Sequence, residues 1–302
     1  MNLEYFLELL LGGLTRGSIY ALIALGYTMV YGIIQLINFA HGEIYMIGAF
    51  TALITAEVLA LLNWHPVAIL VVAAAAAVIY ASAYGWTLEK VAYKPLRKAP
   101  RLSALISAIG MSLFLQEYVK LAQTSNFRPF PKLIPDFEFL KPYATLVRSS
   151  ELVIYFTTAL VMAVLTYVIK FTRMGKAMRA VSQDREMAML SGVDVNRVIA
   201  GTFVMGSATA ALGGVLIASH IGQINFYIGF IAGIKAFVAA VLGGIGSMPG
   251  AVLGSLLLGC TESFFTGYVS SDYEDVFAFL ILVGVLIFRP TGILGRKDID
   301  KV

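Results

Sequence analysis

The sequence contains little of what soluble enzymes and secreted domains are built from. Cysteine occurs once, at Cys260, which excludes a disulfide framework and a cysteine metal cluster. Charged residues make up only 13% of the chain and apolar residues 59%, against about 25% and 45–50% in soluble domains. The mean hydropathy is +0.83. So little polar surface cannot coat a water-soluble globule, and the sequence predicts an integral membrane protein.

The motifs of common enzyme classes are missing as well. The chain has no H-E-x-x-H spacing, no G-x-S-x-G elbow and no nucleotide-binding loop. The glycine-rich run Gly243–Gly250 is not closed by Gly-Lys-Ser/Thr, so it is not a phosphate loop. We therefore expect no enzymatic activity, no metal and no cofactor bound by this chain. The net charge of +4 does not indicate nucleic-acid binding, because the basic residues are concentrated in segments that connect the apolar stretches.

Long apolar stretches recur along the whole chain. A membrane helix needs about 20 mainly apolar residues to cross about 30 Å of hydrocarbon. Nine stretches qualify: 6–30, 43–62, 67–88, 102–122, 152–171, 198–219, 228–244, 249–267 and 276–289. The prediction is an all-α polytopic membrane protein with about eight to nine transmembrane helices, forming a single domain over residues 1–302.

The basic residues predict the topology. Twenty of the 22 lysines and arginines lie in 90–197 and 289–302, and by the positive-inside rule the clustered connecting segments are cytoplasmic. The clusters are Lys90, Lys94, Arg97, Lys98 and Arg101; then Lys170, Arg173, Lys176, Arg179, Arg185 and Arg197; then Arg289, Arg296, Lys297 and Lys301. Nine spans then alternate with the N-terminus outside and the C-terminus in the cytoplasm.

One connecting segment does not fit the charge rule. Residues 123–151 contain Arg128, Lys132, Lys141 and Arg148, yet the alternation of spans places them outside. Four prolines, among them Pro129, Pro131 and Pro135, and three acidic residues accompany them. We interpret 123–151 as an ordered external loop.

A short sequence pattern also occurs twice in the chain. Ile37-Asn38-Phe39 and Gly42 recur 187 residues later as Ile224-Asn225-Phe226 and Gly229. The predicted topology places the two copies on opposite sides of the membrane, which is typical of inverted-topology repeats in transporters. Chance matching in a chain rich in alanine and glycine is the alternative.

The predicted cytoplasmic loop 172–196 has the composition of two short helices. Ser182-Gln183-Asp184 supplies a break or cap, and Gly192 ends the second helix. Met187, Met189 and Leu190 are apolar residues in a segment that should face water. The pattern indicates either a docking element for a soluble partner or an interfacial helix lying on the bilayer.

Two further sets of residues stand out within the spans. Gly246, Gly250 and Gly254 have the spacing that lets helices approach closely.

Lys235 is the one Lys or Arg between 198 and 288, and His41 and Glu43 flank Gly42 at a predicted helix start. Ionisable groups in a membrane are costly and are candidates for function. Pairing or capping is the simpler explanation for His41 and Glu43, whereas lining of a polar cavity and a structural ion pair explain Lys235 equally well. No relay of several carboxylates is evident, which disfavours a proton pump.

Taken together, the longer motifs resemble the LivH-type permeases of branched-chain amino-acid ABC importers. The resemblance rests on segments spread nearly end to end. They are Gly17-Ser18 to Tyr31-Gly32, Ile37 to Gly48, Leu105 to Met111, Lys235 to Ser247 and Arg289 to Gly295. It implies the importer permease fold of the branched-chain and ribose type. It also implies a multi-pass subunit of the bacterial inner membrane.

The resemblance also implies partners. These are a second homologous permease, two cytoplasmic ATPases that bind ATP, and a periplasmic amino-acid-binding protein. The ATPase-coupling residues would be Arg173, Gly175, Lys176, Arg179, Asp184, Glu186, Ala188 and Gly192. Glu186, Ala188 and Gly192 match the first part of the importer EAA motif. Its Ile-x-Leu-Pro tail is missing around Thr202–Met205, which argues against the maltose-type arrangement.

The expected function is translocation of branched-chain amino acids, powered by the partners. Candidate pathway residues are Asn38, His41, Glu43, Asn225 and Lys235. A same-family permease for urea, amides or other amino acids is one alternative. An ion-coupled secondary transporter that acts alone is another.

Overall fold

The structure is a computed structural model that describes residues 3–97, 99–138, 140 and 146–295. Several cationic residues used for the topology lie outside the described residues, namely Lys98, Lys141, Arg296, Lys297 and Lys301; the side chain of Arg101 is also not described.

The described chain is almost entirely helical. In order, the elements are α1 (Leu3–Ile34), α2 (His41–Leu61), α3 (Pro66–Leu88), α4 (Arg101–Ala122), β1 (Arg128–Pro129), α5 (Ser149–Phe171), α6 (Arg173–Gln183), α7 (Arg185–Leu190), α8 (Val195–Ile221), β2 (Gln223–Ile224), α9 (Ile228–Gly243), α10 (Met248–Tyr268) and α11 (Glu274–Phe288). A π turn, Glu89–Tyr93, and a 3₁₀ turn, Lys94–Leu96, extend α3 toward its cationic end. The predicted all-α polytopic class is confirmed.

All nine apolar stretches form helices, but they differ in length. Seven of the described helices are long and apolar enough to cross a membrane. The other two are α9 with 16 residues and α11 with 15, or about 24 and 22 Å at 1.5 Å per residue. The predicted eight to nine spans therefore comprise seven of full length and two shorter helices. The loop predicted over 123–151 ends earlier, because α5 begins at Ser149.

Glycines let the central helices approach closely. α1 packs along α10, where Gly13 and Gly17 lie against the backbone of Gly259, Cys260 and Leu256. A β-carbon at Gly13 would lie 2.7 Å from the α-carbon of Cys260, a separation that real β-carbons do not reach. Close approach of this kind strengthens packing where apolar burial gives no advantage over lipid. The most buried part of the molecule is consequently α1.

Contacts at the two ends of the bundle agree with the predicted alternation. At one end, Arg185 of α7 donates to the carbonyl oxygen of Ile33 at 2.9 Å, and the nitrogen of Ile293 donates to Leu242. At the other, β1 from the loop after α4 pairs antiparallel with β2 after α8. Tyr5 near the start of α1 donates to Gly267 near the end of α10. Segments predicted to share a side of the membrane therefore meet in space.

The repeated sequence pattern corresponds to a repeat in the helical structure. Shifted by 187 residues, the start of α2 at His41 falls on the start of α9 at Ile228. The α1–α2 turn lies at the end that carries α7, and the α8–α9 turn lies at the opposite end, beside β2. Gly42 and its equivalent Gly229 pack against each other. A contact between equivalent residues is what a two-fold axis relating the halves would produce.

The three glycines of the predicted packing ladder divide into two kinds. Gly250 and Gly254 on α10 lie against the backbone of Gly243 at the end of α9, with no room for a side chain. Gly246 precedes α10, and no heavy atom lies within 4 Å of a β-carbon built there. Its φ is +93°, so Gly246 serves the turn and not the helix contact, contrary to the prediction.

Candidate functional site

Lys235 lies at the centre of an ionic cluster near the start of α11. Its Nζ is 2.6 Å from Glu274 Oε1 and 2.8 Å from Asp275 Oδ1. The side chain of Lys235 is 9% exposed. Both explanations left open by the sequence apply, since Lys235 forms ion pairs and also lines two cavities. Buried charges need such partners, because desolvation penalises an unpaired ion heavily.

Two further members of the cluster come from α1 and α10. Arg16 donates to Glu274 Oε2 at 2.9 Å. Glu262 is fully buried, accepts a 2.9 Å hydrogen bond from Tyr20, and places Oε1 3.6 Å from Lys235 Nζ. The cluster thus combines two cations, Arg16 and Lys235, with three acids, Glu262, Glu274 and Asp275. We refer to these five residues as the ionic cluster.

The sequence reasoning missed Arg16 and Glu262, although signals existed for both. Arg16 and Lys235 are the two cations that lie outside the basic segments 90–197 and 289–302. Glu262 is the acidic residue in the apolar stretch 249–267, and an acid at that depth is itself a candidate for function. No relay of several carboxylates is evident in the sequence, but the packing of distant stretches brings Glu262, Glu274 and Asp275 together around Lys235.

Cavities open on two sides of Lys235. One, of about 280 Å³, lies between α1, α8 and α9, with Tyr45 of α2. Five isoleucines and Tyr20 line it together with Arg16, Lys235 and Glu274. The second, of about 230 Å³, lies between α9 and α11 and includes Phe230, Lys235 and Asp275. An apolar cavity with a few convergent polar groups is the usual form of a small-molecule site.

Three predicted pathway residues lie together at the α1–α2 turn, away from the ionic cluster. Asn38, His41 and Glu43 are all buried. Tyr93 donates to Asn38 Oδ1 at 2.9 Å, and Ser112 donates to Glu43 Oε1 at 3.0 Å. The ring of His41 lies against Tyr27, with 4.9 Å between centroids.

Each of the three residues keeps one buried polar atom without a hydrogen-bond partner. The atoms are Asn38 Nδ2, His41 Nε2 and Glu43 Oε2. Buried atoms of this kind cost free energy and are uncommon in folded proteins. The turn is therefore a polar site held inside the packing.

Asn225 joins neither group. It is half-buried at the α8–α9 turn, where its Oδ1 accepts from the backbone nitrogen of Tyr227 at 3.1 Å. The five predicted pathway residues thus occupy three places: the α1–α2 turn, the α8–α9 turn and the middle of α9.

The helix pair α6–α7 forms as its capping residues predict. Thr172 accepts from the backbone nitrogen of Gly175 and so caps α6. Asp184 accepts from the backbone nitrogens of Glu186 and Met187 at 2.9 and 3.0 Å, and so starts α7. Gly192 follows α7 with a φ of +81°, and the nitrogen of Val193 returns to the carbonyl of Ala188, as in glycine-terminated helices.

The outer face of α7 is apolar and exposed. Met187, Met189 and Leu190 are 62%, 61% and 82% exposed, while Ala188 packs inward. The predicted coupling residues Arg173, Lys176, Arg179 and Glu186 are also exposed. Gly175 is buried against the carbonyl oxygens of Val168 and Ile169, which leave no room for a β-carbon.

Two arginines fix the α6–α7 pair to the bundle. Arg179 donates to the carbonyl oxygen of Ile169 at the end of α5, and Arg185 donates to that of Ile33 at the end of α1. Partial burial, and then the nearby Arg97, lower the pKa of Arg185. These contacts leave the apolar side chains Met187, Met189 and Leu190 of α7 largely exposed.

Comparisons with known proteins agree with the sequence motifs. A family model described as branched-chain amino acid transport system / permease component matches residues 9–286. The chain is 50% identical to the permease protein LivH of Salmonella typhimurium, over 99% of this chain and 98% of that one. It is 49% identical to LivH of Escherichia coli over the same shares. It is 51% identical to BraD of Pseudomonas aeruginosa, over 100% and 99%. All three relatives are named high-affinity branched-chain amino acid transport system permease proteins.

Proposed function

The chain belongs to the branched-chain amino acid transport permease family, and from that premise we propose that it is the translocation subunit of an ATP-driven importer for branched-chain amino acids. It pairs with a second homologous permease in the inner membrane. ATP is bound and hydrolysed by two cytoplasmic partner subunits, so this chain itself needs no cofactor. A periplasmic binding protein delivers the amino acid.

The exposed apolar face of α7 is the observation that carries the proposal. Three large apolar side chains on one six-residue helix stand at the end of the bundle that also bears most of the exposed arginines and lysines. A monomeric surface does not normally display such a patch unless a partner covers it. Anchoring by Arg185 to the end of α1 provides a rigid connection. Movement of a subunit docked on α7 would be transmitted directly to the central helix.

The passage itself runs along α9 in this proposal. Lys235 lies at the middle of α9, between two cavities. The buried polar turn of Asn38, His41 and Glu43 meets the start of α9, where Gly42 packs against Gly229 and Gly233. Rigid-body rocking of the two permeases would expose these places alternately to the two sides. The passage requires only transient contacts, because the binding protein makes the selection.

The orientation follows from the same assignment. The α6–α7 pair faces the cytoplasm, as does the end of the chain after α11, which pairs through Ile293 and Leu294 with the end of α9. The loop 123–148 and the start of α11 then face the periplasm. The loop predicted over 123–151 carries β1, which pairs with β2 at that same end.

Purification of the assembled transporter tests the proposed docking. Leu190→Asp places a charge on the apolar face of α7, and we expect the two ATPase subunits to be lost while this chain still inserts and pairs with the second permease. Asn196→Asp adds the same charge at the same end but off α7, so it should retain both ATPases. Normal ATPase recovery with Leu190→Asp would contradict the proposal.

The two alternatives from the sequence lead to different results. A related cargo such as urea, an amide or another amino acid would be bound by the cognate binding protein in place of leucine, isoleucine or valine. An ion-coupled secondary transporter would move substrate in liposomes with no ATPase present. The ionic cluster makes this second test worthwhile, because it supplies the intramembrane acids that the sequence alone did not reveal.

A further inference from the structure

We propose that the isoleucine-walled cavity between α1, α8 and α9 binds the transported amino acid, with the ionic cluster holding its zwitterionic head group. This inference rests on the proposed function and identifies where the cargo is held. The cavity has a volume of about 280 Å³, just under the roughly 300–1,000 Å³ typical of small-molecule pockets. That size suits a single amino acid.

The charges at the edge of the cavity show that it does not open to lipid. The side chains of Arg16 and Asp275 are 41% and 54% exposed. Lys235, their neighbour in the cluster, is seven residues inside α9, or about 10 Å from its end. Charged groups within a membrane face water or another protein chain, because exposure to hydrocarbon is costly. This side of α1 and α9 therefore faces an aqueous passage or the second permease.

The cluster supplies both halves of a zwitterion site. Arg16 uses one guanidinium nitrogen on Glu274, and its remaining donors can bind a carboxylate. The three acids outnumber the two cations, so the cluster has an excess of negative charge that an ammonium group would balance. Glu274 lies between Arg16 and Lys235, within 2.9 and 2.6 Å of the two cations. A bound zwitterion brings one charge of each sign, so it would exchange partners with these ion pairs without changing the net charge of the site.

Glu262 provides an independent indication. It is fully buried, and its Oε1 has no hydrogen-bond partner in the described structure, with Lys235 Nζ at 3.6 Å. A carboxylate oxygen in that setting is costly unless the Lys235 ammonium moves toward it. Release of Lys235 from Glu274 and Asp275 would allow that movement and would free those two acids for the ammonium of the substrate.

The walls match an aliphatic side chain. Five isoleucines, Ile19, Ile217, Ile221, Ile228 and Ile231, line the cavity beside the charged edge. Branched aliphatic walls favour apolar side chains by burial, at about 0.8 kcal/mol per methylene. The isoleucines offer no hydrogen bond to a polar side chain. Tyr20 and Tyr45 also line the cavity, and the Tyr20 hydroxyl already donates to Glu262. The site therefore selects by charge at one end and by apolar contact at the other.

Photo-crosslinking of the assembled transporter tests this site. The complex, without binding protein and in nanodiscs, is irradiated with the diazirine analogue of leucine, and adducts are mapped by mass spectrometry. We expect adducts on the segments that carry Ile217 and Ile228, removed by excess L-leucine. Glu274→Gln and Arg16→Gln should each reduce them about tenfold, the effect of losing one charge-assisted contact.

A size variant separates binding from folding. Ile217→Phe fills the cavity and leaves the ionic cluster intact, so it should also remove the competed adducts while the thermal stability stays near that of the parent. Ile79→Phe makes the same change on an exposed face of α3 and should have no effect. Adducts that leucine does not compete, or that survive Ile217→Phe, would overturn the site.

Uptake by the reconstituted complex distinguishes this inference from the proposed function. Failure of the parent transporter to take up leucine with ATP and binding protein would refute the proposed function. Normal uptake without competed adducts in the cavity would refute the site alone.

Discussion

The turns that precede α2 and α9 are equivalent in the chain, yet the two regions differ in their access to water. Around the α1–α2 turn, Asn38, His41 and Glu43 are buried among aromatic and glycine neighbours. Around α9, Asn225 is half-buried, and Lys235 lies between two cavities and beside exposed charges. The two copies of the repeat thus contain one polar region that is closed to water and one that is open to it.

The contrast has a physical basis in the neighbouring side chains. Glycines bring α1, α2 and α9 together near Gly42, so polar groups there are sealed, and three of their atoms stay unpaired. Near Lys235, acids from α10 and α11 compensate the buried charge and large isoleucines hold the helices apart. In the proposed function, the passage is closed at the polar turn of Asn38, His41 and Glu43 and open beside Lys235.

Removal of Lys235 is expected to have the largest effect on this contrast. Lys235→Met leaves Glu262 buried without its cation, and breaking a buried pair costs about 3–5 kcal/mol. We expect a marked fall in the unfolding temperature in detergent. Lys120→Met removes an exposed pair with Glu117, worth at most about 1 kcal/mol, and is the control. Equal stability of the two variants would mean that the ionic cluster does not hold α9 and α10 together.

The second largest effect is expected from a side chain placed in the glycine contact between α2 and α9. In Gly42→Val the side chain would collide with the backbone of Gly229, which cannot move aside as a side chain can, at a cost of about 3 kcal/mol. Size-exclusion chromatography after heating should show early loss of the monodisperse protein. Gly110→Val is the control, since no heavy atom lies within 4 Å of a β-carbon there. Identical heat resistance would show that α2 and α9 do not approach as described.

A smaller effect is expected from removing the hydrogen bond to Glu43. Ser112→Ala leaves the buried Glu43 carboxylate without its 3.0 Å donor, a loss of about 1–3 kcal/mol for a buried polar group. Thermal unfolding of the variant against Ser182→Ala, which changes an exposed serine, measures it. No difference between them would place Glu43 in a wetter site than the packing indicates.

The smallest effect sharpens the comparison between the two turns. Asn225→Ala removes one local contact, to the nitrogen of Tyr227 at an exposed turn, and should change stability by about 0.5 kcal/mol or less. Asn38→Ala at the equivalent buried position deprives Tyr93 of its partner and should cost about 1–3 kcal/mol. Equal costs in thermal unfolding would remove the distinction between closed and open turns.

The sequence predicts the parts of this fold that depend on local pattern. Apolar runs located the nine apolar helices to within a few residues, and Asp184 and Gly192 marked the boundaries of α7. The ionic cluster could not be derived in this way, because its members come from α1, α9, α10 and α11. Arg16 and Glu274 are 258 residues apart, and only the packing of the helices brings them together.

The glycines at the start of α10 also show what a local sequence pattern does not predict. Spacing of four residues suggested one role for Gly246, Gly250 and Gly254. The helix begins at Met248, so the first of the three falls in the turn. Gly246 lies two residues before that helix, and the spacing of the glycines alone did not separate its role from that of Gly250 and Gly254.

Cysteine accessibility tests the central claim most directly. With the native Cys260 replaced by serine, single cysteines are placed by Leu190→Cys on α7 and Asp275→Cys in the ionic cluster. Both positions are exposed in the structure, and each is treated with a membrane-impermeant maleimide in spheroplasts and in inverted vesicles. The account predicts that Leu190→Cys reacts only in inverted vesicles and Asp275→Cys only in spheroplasts. Labelling of both from the same side would contradict it.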